Sequence, residues 1–197
     1  GVQDVVHPIL IAQELQNHEE RVLTAPGSEA ISRQLLLPVA DVRTAFRVEQ
    51  WHQRISSQMD QNGHDTVGVI ACSDRGELFA LTSTGGRGYE RPGRVSDSAT
   101  VAGTYATPFA ACCVTGIGEE IVDDAVAARL EARVRDGAKL ADASFKAHKE
   151  ALSLNRTYGW IAADSANSWS VAHVTPTMPF VVIDLNQNII LTSSIQV

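Results

Sequence analysis

Hydrophobic residues near the start of the chain recur with a helical period. Ile11 and Leu15 share one face of a segment that opens at Pro8, which suits a first helical turn. Further along, three apolar residues are spaced as on one face of a helix: Val48, Trp51 and Ile55. The pattern therefore predicts helices over 8–15 and 41–59.

Between these helices the pattern is broken by turn-forming residues. Residues 21–24 are predicted to form a short strand, which Pro26-Gly27 ends. Ser28 can then cap a second helix that runs to about residue 35. Residues 56–63 are polar, which is typical of an exposed, mobile linker.

After this linker the residues favour strands. Segments 66–72 and 77–84 are rich in β-branched and apolar residues, and a turn sequence, Ser73-Asp74-Arg75-Gly76, separates them. They are predicted to form an antiparallel hairpin. Later strands are predicted at 109–114, 159–163 and 170–174, followed by an extended tail over 180–197.

Two helices are predicted among the later strands. Over 119–136, four apolar residues repeat every four positions: Val122, Val126, Leu130 and Val134. After Gly137, small or apolar residues mark a second helix: Leu140, Ser144, Ala147 and Ala151. This order of elements predicts a layered α+β domain in which helices cover an antiparallel sheet.

Composition narrows the classes of protein that fit this pattern. The 197 residues, 44% of them hydrophobic, suffice for one globular domain with a core. A net charge of −7 has the wrong sign for neutralising phosphates, so no nucleic-acid partner is expected. The longest uncharged stretch, 98–118, holds four threonines and a proline and is too polar to span a membrane.

The cysteines, histidines and glycines match no cofactor motif. Cys112 and Cys113 are adjacent and Cys72 is isolated, and the six histidines form no zinc motif. We expect core thiols in a reducing compartment and no metal. The glycine-rich loop over 85–93 lacks the spacing of a nucleotide-binding loop. No signal-peptide-like leader is visible, so the expected compartment is the cytoplasm.

One threonine stands where the polar linker meets a predicted strand. Thr66 follows Gly63-His64-Asp65. A cut before Thr66 would expose an α-amino group with a pKa of about 7.7–8.0, which could serve as the base for the threonine's own hydroxyl. The alternative is that a β-branched residue simply opens a strand.

Other residues could act on a substrate. Arg94 and Asp97, in a turn-prone loop, could hold the two charged ends of an amino acid, or could form only a surface ion pair. Thr84 ends a strand, and Thr115-Gly116 precedes a helix. Such hydroxyls and N–H groups can form an oxyanion hole, or can serve only in turns and caps.

Six motifs occur in a fixed order: Thr66-Val67-Gly68, Thr82-Ser83-Thr84-Gly85-Gly86, Pro92-Gly93-Arg94-Val95, Asp97-Ser98, Gly103-Thr104-Tyr105, and Thr115-Gly116 with Gly118-Glu119. In combination they resemble the β-subunit of the N-terminal-nucleophile asparaginase family, which comprises plant-type L-asparaginase/isoaspartyl peptidase and glycosylasparaginase. The resemblance covers Gly63 to about Phe180, and residues 1–30 more loosely. It implies one Ntn-hydrolase domain over 1–197, built as a four-layer αββα sandwich.

The resemblance also implies roles for these residues. The precursor would cut itself between Asp65 and Thr66 into an α-subunit of residues 1–65 and a β-subunit of residues 66–197. Thr66 would be the nucleophile, its freed amine the base, and Thr84 a supporting hydroxyl. Arg94 would bind the α-carboxylate of the substrate, and Asp97 would bind its α-amino group. The Thr115 hydroxyl and the Gly116 N–H would form the oxyanion hole.

Two features depart from the family pattern. Ser96 stands where the family usually has glycine, a mild change if the backbone there has no positive φ. Family precursors begin with a stretch that includes a His-Gly-Gly-Ala-Gly-like run and cation contacts, and nothing in this sequence matches it. We therefore expect a sandwich incomplete at its amino end, and the loop for a structural Na+ or K+ is not seen.

The expected reaction is acyl transfer to Thr66 from the side-chain amide of L-asparagine or from a β-aspartyl (isoaspartyl) peptide, followed by hydrolysis of the ester. Two alternatives stay open. Gly-His-Asp-Thr resembles the glycosylasparaginase branch, and the absent front stretch fits a truncated, non-catalytic member. The resemblance further implies a small-molecule substrate, no cofactor and a homodimer of processed αβ units, and the charge and composition described above give no reason to expect a nucleic-acid or membrane partner.

Overall fold

The structure is a computed structural model that describes residues 1–57, 66–88, 90–91, 93–183 and 188–192. Asp65, Pro92 and most of the predicted linker lie outside these residues. The chain divides into two compact units. The helical unit comprises Gly1–Asp65 and Gly85–Val95, and the sheet unit comprises Thr66–Thr84 and Ser96–Val197. The assignment of the whole chain to one domain stays a prediction.

The described residues of the helical unit form the helices α1 (Ile9–Leu15), α2 (Ala25–Gln34) and α3 (Ala45–Ser57). Among these residues, Val5, Ile11 and Ile31 are buried together in a core. The helix predicted at 8–15 is confirmed. The third helix begins later than predicted, because the Thr44 hydroxyl accepts the Arg47 N–H at 3.2 Å and so caps its first turn.

Two predictions about the second helix are wrong. Residues 21–24 form no strand, and Ser28 lies inside α2 rather than at its cap. Thr24 is the N-cap residue, and Pro26 falls in the first turn, where a missing N–H costs little. Ser28 Oγ instead donates to the carbonyl oxygens of Thr24 and Ala25 at 3.2 and 3.1 Å.

The sheet unit begins with the predicted hairpin, which is confirmed. Strands β1 (Thr66–Cys72) and β2 (Leu78–Thr84) pair antiparallel, with Thr66 opposite Thr84. Gly76 takes the positive φ of +77° that the turn needs, and its N–H donates to the Ser73 carbonyl at 3.0 Å.

A four-stranded antiparallel sheet forms the centre of this unit. Its order is β3 (Thr104–Ala106), β4 (Ala110–Gly116), β5 (Tyr158–Asp164) and β6 (Trp169–His173). Strands β4, β5 and β6 confirm the predictions at 109–114, 159–163 and 170–174, whereas the three-residue β3 was not predicted. The helices are α4 (Gly118–Asp124), α5 (Val126–Arg135) and α6 (Leu140–Ser153). Within the predicted tail, β7 (Phe180–Ile183) and β8 (Ile189–Thr192) form a second hairpin.

Strand β4 shows how the layers of the sheet unit pack. Cys112 and Val114 point into the core that the helices cover. Cys113 points to the opposite face, toward Gly68. A Cβ atom added to Gly68 would lie only 2.8 Å from the Cβ atom of Cys113. The unit therefore has three layers: the β1–β2 hairpin, the four-stranded sheet and the helices. This arrangement confirms the predicted α+β class.

The prediction of one helix over 119–136 is wrong, because two helices, α4 and α5, occupy this range. Ala125 adopts a left-handed φ of 47° and separates α4 from α5. The break lets the Ala127 and Ala128 N–H groups at the start of α5 donate to the carbonyls of Ala102 and Val101 at 2.9 and 3.0 Å. Val122 is consequently exposed, and its neighbour Ile121 is buried.

The cysteine prediction is confirmed for two of the three residues. Cys112 and Cys113 are buried free thiols. Cys72 is only partly buried, because it ends β1 at the rim of the layers, where its Sγ lies 3.1 Å from Asn167 Oδ1. Within the described ranges, no helix is both long and apolar enough to cross a membrane.

Candidate active site

The direction of the hairpin decides which residues share an end of the sheet unit. Cys72, at the end of β1, contacts Asn167 in the turn between β5 and β6. That turn adjoins the start of β4, because Ala110 pairs with Asp164. The opposite end of β1, which is Thr66, therefore lies where β4 finishes at Gly116.

Thr66 and Thr84 meet through their side chains at this end. They are direct cross-strand partners, and the Thr66 hydroxyl donates to Thr84 Oγ1 at 3.3 Å. Gly68 and Thr82, two residues inward on each strand, occupy the same face of the hairpin. Since Gly68 faces Cys113, this face looks onto the four-stranded sheet. The hydroxyl pair thus opens toward the end of β4.

The neighbouring polar groups on this face are already paired or inert. Thr104 Oγ1 donates to Thr82 Oγ1 at 2.6 Å. Burial raises the pKa of the Cys113 thiol, although hydrogen bonding with the Thr82 side chain and with the backbone of Leu81 and Val69 opposes the shift. Burial also raises the pKa of Cys112, which lies on the opposite face of β4. Both thiols therefore stay protonated near neutral pH and do not compete with a hydroxyl nucleophile.

The backbone at the end of β4 requires glycine. Gly116 has a φ of +136°, and a Cβ there would lie 2.3 Å from the Thr157 carbonyl oxygen. The next N–H, that of Ile117, donates to the same carbonyl at 2.9 Å. The Thr115–Gly116 turn is therefore pressed against the start of β5, which fixes the direction of its N–H groups.

Three consecutive residues, before and at the start of β5, support this turn, because they donate hydrogen bonds to side chains of α4. Arg156 donates two hydrogen bonds of 2.9 Å to the Asp124 carboxylate. The Thr157 N–H donates to Glu120 Oε2 at 2.6 Å, and the Tyr158 hydroxyl donates to Asp124 at 2.8 Å. The helix that follows Gly116 is thus attached to β5 near both of its ends.

Asp124 keeps its charge despite burial. Burial alone would raise the pKa of this carboxyl, but the hydrogen bonds from Arg156 and Tyr158 together outweigh it and lower the pKa from the usual 3.8. Burial, and then the hydrogen bond to Asp124, raise the pKa of Tyr158. The phenol therefore remains a hydrogen-bond donor near neutral pH. This cluster was not predicted, because Asp124 and Arg156 are 32 residues apart and share no local pattern.

Asp97 lies in a tight turn beside the same end of the sheet. It is buried and opens a short 3-10 helix over Asp97–Ala99. A Cβ on Gly103 would lie 2.5 Å from Asp97 Oδ2, so the turn can pack here only against glycine. The Gly103 carbonyl accepts the Val114 N–H at 2.8 Å, which ties the turn to β4. Ser96 has an extended φ of −95°, so this departure from the family pattern causes no backbone strain.

Two predicted residues are not among the described residues of the sheet unit. Arg94 belongs to the helical unit, where its guanidinium Nη1 lies 3.3 Å from Glu90 Oε1. Asp65 lies outside the described residues. The sheet unit itself therefore brings five predicted residues to one end: Thr66, Thr84, Asp97, Thr115 and Gly116. Among the residues that the structure describes, no three His, Cys, Asp or Glu side chains are grouped so as to hold a metal ion.

Comparison with known proteins identifies what this arrangement is similar to. The asparaginase family model matches residues 1–190. An isoaspartyl peptidase/L-asparaginase from Synechocystis sp. is 39% identical over 185 residues, which is 83% of this chain and 54% of the relative. A protein of the same name from Nostoc sp. is 39% identical over 181 residues, 84% of this chain and 57% of the relative.

A second group of relatives is more distant. An N(4)-(beta-N-acetylglucosaminyl)-L-asparaginase from Elizabethkingia miricola is 26% identical over 129 residues, which is 61% of this chain and 38% of the relative. The chain spans about half the length of the isoaspartyl peptidase/L-asparaginases compared above.

Proposed function

Because the chain belongs to the asparaginase family, we propose that it carries the threonine nucleophile of a self-processing amidohydrolase that acts on L-asparagine or β-aspartyl peptides. One observation supports this proposal most directly. The Thr66 hydroxyl donates to the Thr84 hydroxyl at 3.3 Å, at the end of the sheet unit where Gly116 is held in a glycine-only turn. In acyl transfer, the nucleophile and the oxyanion donors must lie around the same reacting carbonyl group.

The first step of the proposed reaction is self-cleavage of the Asp65–Thr66 bond. Thr66 Oγ1 attacks the Asp65 carbonyl carbon, the C–N bond breaks as an ester forms, and a water molecule hydrolyses this ester to leave the Asp65 carboxylate. The cleavage frees the Thr66 α-amine, which becomes the base. The amine takes the proton from Thr66 Oγ1 as this oxygen attacks the side-chain amide carbon of the substrate. The negative charge that develops on the amide oxygen is stabilised by the Thr115 hydroxyl and the Gly116 N–H.

The second step releases the amine and then the acid. The C–N bond breaks, and the leaving amine departs with the proton from the Thr66 amine. A water molecule, deprotonated by the same base, attacks the resulting β-aspartyl ester and frees aspartate. Asp97 accepts hydrogen bonds from the substrate's ammonium group, and Arg94 binds its α-carboxylate.

The comparisons rank the candidate substrates. The isoaspartyl peptidase/L-asparaginases are 39% identical over more than four-fifths of this chain, whereas the glycosylasparaginase from Elizabethkingia is 26% identical over 61% of it. We therefore place asparagine and β-aspartyl dipeptides before glycosylasparagine, and neither the glycosylasparaginase nor the non-catalytic alternative is favoured. The proposal includes a homodimer of processed units, which a sedimentation-equilibrium mass of two processed chains would support.

Intact-mass spectrometry tests the nucleophile. We expect the purified chain, after prolonged incubation, to yield one piece of residues 1–65 and one that begins at Thr66. Thr66→Ala should stay intact, because no hydroxyl is available to attack the preceding carbonyl. Thr177→Ala, which removes the side chain of an exposed threonine outside the candidate site, is the matched control and should be processed like the parent.

Substrate assays on the processed protein then test the activity. We expect ammonia from L-asparagine and free aspartate from a β-aspartyl dipeptide, with less N-acetylglucosaminyl product from glycosylasparagine. Cleavage that persists in Thr66→Ala would contradict the nucleophile. A processed protein that hydrolyses none of the three amides would contradict the proposed activity.

A further inference from the structure

The carboxylate of Asp97 is buried without a compensating cation. Only 4% of the residue is exposed. Among the described residues, no Lys, Arg or His side chain forms an ion pair with Asp97, and the Ser96 hydroxyl is the one hydrogen-bond donor to its carboxylate. A carboxylate can accept about four hydrogen bonds, and burying a charge is costly unless the charge is paired. The surroundings of Asp97 therefore suit a cationic ligand with several N–H donors.

The Ser96 hydroxyl does not perform the task that is usual at its position. Ser96 is the N-cap residue of the short 3-10 helix over Asp97–Ala99, where a serine oxygen ordinarily accepts a backbone N–H, yet its side chain makes no capping hydrogen bond. Its Oγ instead donates to Asp97 Oδ1 at 2.5 Å. Because the hydroxyl proton points to Asp97, the lone pairs of Ser96 Oγ stay available, and none of the described residues donates to them.

The backbone fixes these two residues at the candidate site. The Thr100 N–H and hydroxyl both donate to the Asp97 carbonyl oxygen at 2.8 Å. Farther along the same turn, Thr104 Oγ1 donates to Thr82 Oγ1 at 2.6 Å, which ties the turn to β2 two residues before Thr84. Residues 96–104 and both strands of the hairpin belong to the sheet unit. The position of this turn beside the hydroxyl pair is therefore set within one compact unit.

We infer that Ser96 is a specificity-determining residue that binds the substrate's α-ammonium group together with Asp97. The inference rests on the proposed function, in which Asp97 receives that group. The Asp97 carboxylate supplies the charge, and Ser96 Oγ accepts one further N–H of the ammonium. We call Ser96 Oγ and the Asp97 carboxylate the ammonium acceptor pair. Glycine, which the family usually has at this position, offers no hydroxyl, so the second acceptor is an addition of this chain.

Two other roles for the Ser96 hydroxyl predict different results. A hydroxyl that only occupied Asp97 Oδ1 would compete with the ammonium, and its removal would lower KM. A hydroxyl that only supported the turn would affect substrates with and without an amino group alike. An acceptor for the ammonium raises KM on removal, and does so only for substrates that carry the ammonium. The sign of the change and its dependence on the substrate thus distinguish the three roles.

Steady-state kinetics of Ser96→Ala on the processed protein test the inference. The backbone at position 96 is extended, with a φ of −95°, so alanine fits without strain. For L-asparagine we expect KM to rise about tenfold, equivalent to ~1.4 kcal/mol of lost binding, with kcat changed less than about twofold. For succinamic acid, which is asparagine without its α-amino group, KM should change less than about twofold. Ser96→Thr, which keeps the hydroxyl, should have the KM of the parent.

Ser98→Ala is the matched control. Ser98 lies in the same short helix and is also partly buried, and its hydroxyl makes no hydrogen bond to the residues that the structure describes. Its substitution should leave both KM values unchanged. A KM for L-asparagine that falls or stays the same in Ser96→Ala overturns the inference. An equal rise for succinamic acid, or a KM for Ser96→Thr as high as that for Ser96→Ala, also overturns it.

Failure of the proposed function would be recognised separately, because the parent chain would then hydrolyse none of the amides. Titration calorimetry with L-aspartate and with succinate, which lacks the amino group, tests the ammonium acceptor pair without catalysis. Binding of L-aspartate that is about tenfold weaker in Ser96→Ala than in the parent, with equal binding of succinate, supports the inference. Any other result, including a parent chain that does not bind L-aspartate, contradicts it.

Discussion

The two compact units differ most in the cores around which they are built. Among the described residues, the sheet unit buries a continuous cluster of fourteen apolar side chains that includes Tyr158 and Trp160. In the described part of the helical unit, the core cluster contains three buried aliphatic side chains: Val5, Ile11 and Ile31. Apolar burial is the main force that offsets the entropy of ordering a chain. The difference implies that the sheet unit opens only in global unfolding, whereas the helical unit opens at lower cost.

The strongest test of this comparison is Trp160→Ala in the sheet unit. Trp160 is fully buried, and its indole N–H donates to Ser144 Oγ at 3.0 Å. Truncation should cost about 3–5 kcal/mol of unfolding free energy, because it leaves a large cavity. Trp169→Ala is the control, since Trp169 is 49% exposed, and should change that free energy by less than about 0.5 kcal/mol. Urea denaturation followed by circular dichroism measures both, and equal losses would contradict a tightly packed core.

A smaller and more local effect is expected from Ile11→Ala in the helical unit. The side chain is buried, but the cluster around it is small and can collapse, so about 2 kcal/mol is expected. Hydrogen exchange followed by mass spectrometry should show faster exchange in peptides from residues 1–35 and unchanged exchange in peptides from 140–164. Equal acceleration in both sets would mean that the units unfold as one, and the comparison would fail.

The smallest effect concerns the charge at Asp124, and it depends on pH. The folded pKa of this carboxyl lies below its unfolded value of about 3.9, so its contribution to stability is complete above that pH and is lost as the pH falls through the folded pKa. Asp124→Asn should therefore cost about 1–2 kcal/mol at pH 7 and at pH 5, and progressively less below about pH 4.

The neighbouring Asp123→Asn provides the control for this measurement. Asp123 is exposed on the same helix, so its substitution should leave the urea midpoint nearly unchanged at every pH. A cost of Asp124→Asn that persists undiminished at pH 3 would show that packing, rather than the charge, accounts for the effect.

Sequence patterns predicted elements whose signals are local. The β1–β2 hairpin followed from two apolar runs around a turn sequence, and α6 followed from four small or apolar residues that are all buried. The break at Ala125 escaped prediction, because alanine favours helices and the left-handed conformation there is imposed by bonds to residues 101–102. Strand β3 escaped because three residues carry too little periodicity.

The residues of the candidate site also divide into those that have a local sequence signal and those that have none. Thr66, Thr84 and Gly116 could be selected from the sequence, because they belong to six ordered motifs that in combination resemble one family. The support of the turn by Asp124, Arg156 and Tyr158 could not, since it joins residues separated by more than 30 positions.

The way the chain passes between its units gives the proposed cut an unusual outcome. The helical unit is assembled from residues 1–65 and from 85–95, which interrupt the sheet unit. After cleavage before Thr66, the segment 85–95 would remain covalently part of the larger piece, although it shares a compact unit with the smaller one. Residues 1–65 would then be held only by noncovalent contacts, with a dissociation constant, as a bound ligand is. Dilution would shift this equilibrium toward dissociation of residues 1–65, whereas it cannot separate the parts of an intact chain.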